Sequence, residues 1–377
     1  MSNGHNAQVA AANQAAVILS VSDAETFLVE TMLTSLNRGL PLHPIEVLGK
    51  PGIGKTAVAK SAAEKIRKDI PNFGIEVLAP STTPSDELAG IPLFDKREDT
   101  GETILHYALP YWVTTQEMDP NYKAFWVFDD ARQCQGDQQK VLANLIYERT
   151  MRGKRIPDGV QFILTGNRME DRAGVVKELT HYSGRKTTIH AEASLDEWRM
   201  WAINHGVMDE IIGYVSWKQD QFCNFDPNRE KNPTPRTWVA CSDWEKIVSA
   251  SPTLNRSRGK FLMSAWAGEV GPGAASECHT FCELFRSMPD LDAIIANPSG
   301  ANIPDKADMQ YAVTVALANR IDSKTFGAVL EYITRVGVEH AALSIQLALP
   351  KHPTITSHKA FGDWVRTYKR SIFGAHN

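Results

Sequence analysis

Apolar and polar residues alternate in two different rhythms along this chain. From about Ser22 to Glu192, short apolar or β-branched runs are separated by helical patterns. The runs are Ile45–Leu48, Gly74–Leu78, Ala124–Phe128, Gln161–Thr165 and Thr187–Ala191, and their continuous apolar character is that of parallel strands buried on both faces. Strands alternating with helices predict a doubly wound α/β sheet of five strands. Residues 85–113 are irregular and contain Pro and Gly, which reads as an insertion between strands. From about Ser194 the strand signals fade. Trp198, Trp201 and Ala202, and then Phe326, Val329, Leu330 and Ile333, fall at helical spacing, so residues 194–377 are predicted to be all-helical. Residues 1–21, rich in Ala, Gln and Asn near their start, carry no periodicity and are expected to form a flexible arm.

Composition changes this picture little. The 377 residues suffice for about two or three domains. A formal net charge of -4 gives no electrostatic sign of a nucleic-acid partner. No apolar run approaches the roughly 18 residues of a membrane span, and no basic start precedes an apolar core, so a cytoplasmic location is expected. Five widely spaced cysteines fit a reducing compartment. Cys278, His279 and Cys282 lack a second Cys/His pair nearby, and Phe281 and Leu284 continue an apolar helical pattern through them, which favours core packing over zinc.

The first chemistry lies in "VLGKPGIGKTAVAKSAA", Val47–Ala63. Gly49-Lys50-Pro51-Gly52-Ile53-Gly54-Lys55-Thr56 satisfies the P-loop pattern G-x-x-x-x-G-K-[ST] at every fixed position, between a predicted strand and a predicted helix. Gly49, Pro51, Gly52, Ile53, Gly54, Lys55, Thr56 and Ala57 are therefore candidate binders of a nucleoside triphosphate. Backbone N–H groups and a helix N-terminus would face the phosphates. Lys55 would reach the β- and γ-phosphates, and the Thr56 hydroxyl would bind Mg²⁺. "AFWVFDD" (Ala124–Asp130) is an apolar strand ending in two acids, costly unless a cation is near. Asp129 is the candidate Mg²⁺ ligand and Asp130 the candidate base for the attacking water. "VQFILTGNR" (Val160–Arg168) ends a further strand in Asn167, placed to hold that water.

In this order the motifs resemble the AAA+ ATPases, and in detail the MoxR-like branch, including variants carried by bacteria and bacteriophages. The stretches that carry the resemblance are GKPGIGKT, "PSDELAGIP" (Pro84–Pro92), "NLIYERTMRGKRIPDGVQFILTGNR" (Asn144–Arg168) and "NPTPRTW" (Asn232–Trp238). The resemblance implies a five-stranded ATPase core over residues 22–193, a helical lid over residues 194–377, and inserts near 84–113 and 148–159. It also implies ATP and Mg²⁺ as cofactors and a homo-oligomeric ring, usually a hexamer. The implied activity is ATP hydrolysis that remodels or activates a protein partner, often one with a von Willebrand factor A domain. It gives Arg185 the place of an arginine finger acting on the neighbouring subunit, with Arg168 and Arg172 as competitors, and Arg236 the place of a second sensor that contacts nucleotide. Three departures stand out. Asp130 occupies a position where Glu is usual, the aromatic-x-Gly loop of threading unfoldases is missing, and Lys186 follows Arg185 where Phe is common. A nucleic-acid-associated ATPase and a nucleotide-gated scaffold with little hydrolysis are the alternative functions.

Overall fold

The computed structural model describes residues 17–114, 119, 121–171, 174–284 and 288–372. The chain divides into two compact units, Met1–Ser194 and Leu195–Asn377.

In the first unit the strands are β1 (Ile18–Ser20), β2 (Ile45–Leu48), β3 (Gly74–Leu78), β4 (Ile91–Lys96), β5 (Thr103–Ala108), β6 (Ala124–Phe128), β7 (Thr150–Met151), β8 (Lys154–Arg155), β9 (Val160–Gly166) and β10 (Thr187–Glu192). Its longer helices are α1 (Val21–Arg38), α2 (Lys55–Ile66) and α3 (Gly136–Glu148). The main sheet runs β1-β10-β2-β9-β6-β3, and every pairing in it is parallel. The expected count of five strands is thus corrected to six. The extra strand is β1, in register with β10 from Ile18↔His190 to Ser20↔Glu192, inside the stretch expected to be a flexible arm. Three residues are too few for a periodic signal, and β1 is an edge strand with exposed Ile18. Its last residue, Ser20, also caps α1 by accepting from the Asp23 N–H at 3.0 Å.

The central strands are largely apolar. All of β6 is apolar and buried, and all of β9 is buried, including its polar residues Gln161 and Thr165. Trp126 packs edge-on against Phe162, and Phe128 stacks on Phe162 at 6.1 Å. On α2, Val58, Ala59, Ala62, Ala63 and Ile66 form the buried face. Two antiparallel hairpins stand apart from the sheet: β4–β5, and β7–β8. The second turns at Arg152 and Gly153, both with positive φ (50° and 83°), as a two-residue hairpin requires. Parallel strands place all their C-terminal ends on one edge, and register aligns Leu48 with Gly166 and Phe128 with Leu164. The loops after β2, β6 and β9 therefore leave the sheet side by side, the usual place for a ligand in such sheets.

The second unit is helical. Phe326, Val329, Leu330 and Ile333 share one core with Ile345, Ile355 and Trp364. Cys278 and Phe281 are buried on the helix Pro272–Leu284. No helix among the described residues is long and apolar enough to cross a membrane.

Candidate nucleotide site

The turn between β2 and α2 is shaped by glycine. A Cβ on Gly49 would lie 2.4 Å from the Ala191 carbonyl oxygen, so only glycine lets the loop leave the sheet against β10. Gly54 precedes α2 at φ 100°, offers no side-chain cap, and no acid occupies the first turn. The N–H groups of Lys55, Thr56 and Ala57 thus open a helix whose positive end is of a kind that can receive an anion. Pro51, Gly52 and Ile53 make the turn itself, with Ile53 buried beneath it.

Lys55 is only 8% exposed. Its Nζ donates to the carbonyls of Gly49 (3.0 Å) and Lys50 (2.9 Å) and to Asn167 Oδ1 (2.9 Å). These oxygens compensate a buried ammonium. They also bring the P-loop lysine and the amide after β9 into direct contact. The backbone repeats the link, since the Gly49 N–H donates to the Gly166 carbonyl at 3.3 Å.

Thr56 Oγ1 donates to Asp129 Oδ1 at 2.5 Å. A hydroxyl and a carboxylate oxygen at contact distance form a hard-oxygen donor pair of the kind Mg²⁺ takes while keeping several waters. Asp129 is fixed from below by its N–H, which donates to the Leu78 carbonyl at 2.7 Å. Thr165 completes this corner. Its hydroxyl donates to the same Asp129 oxygen and accepts the Asp130 N–H at 3.2 Å. Asp130 sits at φ 52°, ψ 36°, a left-handed conformation that Asp tolerates better than most residues. One threonine thus holds both acids. By sequence Thr165 is only the end of a strand; the signal available was a hydroxyl two residues before Asn167, at the level where the acidic strand ends.

The arginines differ in their surroundings. Arg168 is tied to Asp171 through Nε (3.1 Å) and Nη2 (3.0 Å), with Glu170 and Glu192 also near. Arg185 donates Nη1 to the Ala143 carbonyl at 3.0 Å and lies 4.3 Å above the Tyr147 ring, both on α3. Arg172 lies outside the described residues. In the second unit, Arg236 is exposed one residue after Pro235, on a helix capped by a reciprocal Thr234–Thr237 pair. Lys186, where Phe is common in the resembled family, is buried: its side chain is 1% exposed and forms ion pairs with Glu46 (2.6 Å) and Glu178.

Residues 44–180 match the family model described as AAA domain (dynein-related subfamily). A search of curated proteins returns no match. Among solved structures, the chain is similar to Hsp104 in a closed-state reconstruction with ATPγS and FITC casein, at 13% identity and TM-score 0.36. That match covers 69% of this chain and 47% of the other, so the chain spans about half the length of the Hsp104 chain. It is also similar to Thermotoga maritima RuvB, as a point mutant (11% identity, TM-score 0.37) and as the Holliday junction branch migration motor (13%, 0.35). Each of these RuvB matches covers 84% of this chain and 87% of the other. With a P-loop, an acidic strand end and a polar amide meeting on one edge of a parallel sheet, the first unit has the α/β P-loop AAA+ fold, and its residues 44–180 match an AAA domain of the dynein-related subfamily.

Proposed function

We propose that this chain binds and hydrolyses ATP, assembles into a homo-oligomeric ring of the MoxR-like type in the cytoplasm, and uses turnover to remodel or activate a protein partner, with von Willebrand factor A domains as the partner class. The observation that supports the reading best is the meeting of Lys55, Thr56, Asp129 and Asn167 at one strand edge. The loop N–H groups and Lys55 would hold the phosphates. Thr56 and Asp129 would hold Mg²⁺, which when bound neutralises charge on the β- and γ-phosphates. Asn167 would orient water and Asp130 would accept its proton. Arg185 would complete the site of the next subunit in the ring, and Arg236 would sense nucleotide from the helical unit. Asp130 favours one variant of this reading, in which hydrolysis is slow. Its carboxylate is one methylene shorter than the usual Glu, and a displacement of about 1 Å can cost about 10²-fold in rate.

The test is Mg·ATP binding and steady-state turnover in Lys55→Ala. A charge-assisted hydrogen bond contributes about 1.5–3 kcal/mol, so affinity should fall about 10- to 100-fold. Unchanged affinity would remove the site from consideration. A nucleic-acid motor would instead show salt-sensitive DNA binding that stimulates turnover.

A further inference from the structure

Glu46 is a carboxylate in the middle of a buried parallel sheet, with no exposed surface. Three side chains donate four hydrogen bonds to it. Arg132 donates Nε (2.8 Å) and Nη2 (2.7 Å) to its two oxygens, Lys186 Nζ donates at 2.6 Å, and Thr188 Oγ1 donates at 2.9 Å. Glu178 is the second acid, paired with Lys186 and 3.3 Å from Arg132 Nε. Lys186 Nζ also lies 4.1 Å from the Tyr182 ring. Two acids and two bases balance, but a buried ion cluster is weak grounds for stability, because apolar residues of the same size commonly do as well.

The cluster's members suggest another use, because each belongs to a segment bordering the nucleotide site. Glu46 is on the strand that enters the P-loop. Arg132 follows Asp129 and Asp130 in the same turn. Glu178 lies in the segment after the Asn167 turn, and Lys186 is the neighbour of Arg185. Main-chain bonds run in parallel: the Val176 N–H donates to the Arg132 carbonyl at 2.8 Å. Gln139 on α3 donates to the Lys177 carbonyl (3.2 Å) and accepts from the Leu179 N–H (2.8 Å). The stretch that ends in Arg185 is therefore fastened to the acidic turn through Val176 at one end, and at the other, through Lys186, to Glu46, which Arg132 of that turn also binds.

We propose that Glu46, Arg132, Glu178 and Lys186 form a positioning device for Arg185, fixing the backbone from which this arginine reaches a neighbouring subunit's nucleotide relative to the turn that holds Asp129 and Asp130. The contacts of Arg185 itself, one carbonyl and one exposed ring face on α3, are ones it gives up on reaching out. Consecutive Cα atoms stay about 3.8 Å apart, so the anchor at Lys186 sets where the reach begins. Lys186, Glu178 and Arg132 are thus positioning residues. The inference rests on the reading of Arg185 as a finger acting in trans.

The experiment mixes variants pairwise, co-expressed with two tags and purified through both. Lys55→Ala has a dead site and an intact finger; Arg185→Ala has the reverse. Their mixture should regain turnover. Silence of that pair, or failure to recover doubly tagged assemblies, overturns the trans reading and this proposal with it, and does so without involving Lys186. Lys186→Met alone should lose about 10- to 100-fold in kcat, with KM for ATP within about 2-fold of the parent. Mixed with Lys55→Ala it should recover, because its own site then receives a sound finger. Mixed with Arg185→Ala it should stay silent, because neither subunit offers one. Recovery with both partners, recovery with neither, or parental turnover of Lys186→Met alone refutes the proposal. Lys186→Arg keeps the charge and should retain most activity. If Lys186→Met does not fold, Glu178→Gln leaves Glu46 with both cations and should show the same one-sided rescue from a smaller loss.

Discussion

Thr165→Val isolates what a single hydroxyl does for the acidic pair. The replacement is close in shape and leaves β9 intact, but it removes a donor to Asp129 and an acceptor for the Asp130 N–H. A hydrogen bond to a charged group contributes about 1.5–3 kcal/mol, and an ordinary one about 0.5–1.5 kcal/mol. Part of this returns through the extra buried methyl, at about 0.8 kcal/mol. The net cost is roughly 1–4 kcal/mol, which for a unit of this size lowers the melting temperature by about 2–15 °C. The kinetic effect should be separate from it. Asp129 keeps Thr56, so Mg·ATP affinity should fall by less than about 10-fold, whereas a loosened Asp130 turn should lower kcat by about 10²-fold. Thermal melting followed by circular dichroism, titration calorimetry with Mg·ATP, and steady-state turnover measured below the melting range read the three quantities. Thr165→Ser, which keeps the hydroxyl, should restore both affinity and turnover. A Thr165→Val protein with parental melting temperature and parental kcat would refute the clamp.

Two further outcomes follow from the same geometry. Asp130→Asn should abolish turnover while sparing Mg·ATP binding, and Asp130→Glu should raise turnover if the short side chain is limiting; a single-turnover assay separates these effects, and parental hydrolysis by Asp130→Asn would dismiss Asp130 as the base. Burial pushes the Glu46 carboxyl up, but the hydrogen bond from Arg132 and the charges of Lys186 and Arg132 outweigh it and hold it below the ordinary value of 4.5. Its folded value lies below its unfolded one, so its contribution to stability is complete above the ordinary carboxylate range and is lost as pH falls through the folded value. Melting temperatures measured from pH 7 downward should fall steeply in acid, and the acid limb should flatten in Glu46→Gln.

The sequence by itself determined the elements whose information is local. Ile45–Leu48, Gly74–Leu78 and Ala124–Phe128 are apolar runs long enough to specify strands without help, and the structure places strands on those residues. The P-loop was legible for the same reason: glycines, a lysine and a threonine at fixed offsets are backbone and helix-terminus chemistry, contained in eight consecutive residues. Tertiary structure decided the rest. Strand β1 exists because β10 offers it an edge, not because three residues prefer to be extended. Asn167 and Lys55 meet across 112 residues, so sequence spacing marked the two residues as candidates but not their bond. Glu46 reads as a polar interruption in an apolar strand, and Lys186 only as a departure from the Phe common after the finger position. Their burial follows from each other, since a charge can leave water only where folding delivers its counter-charge, and nothing within a few residues of either announces the partner.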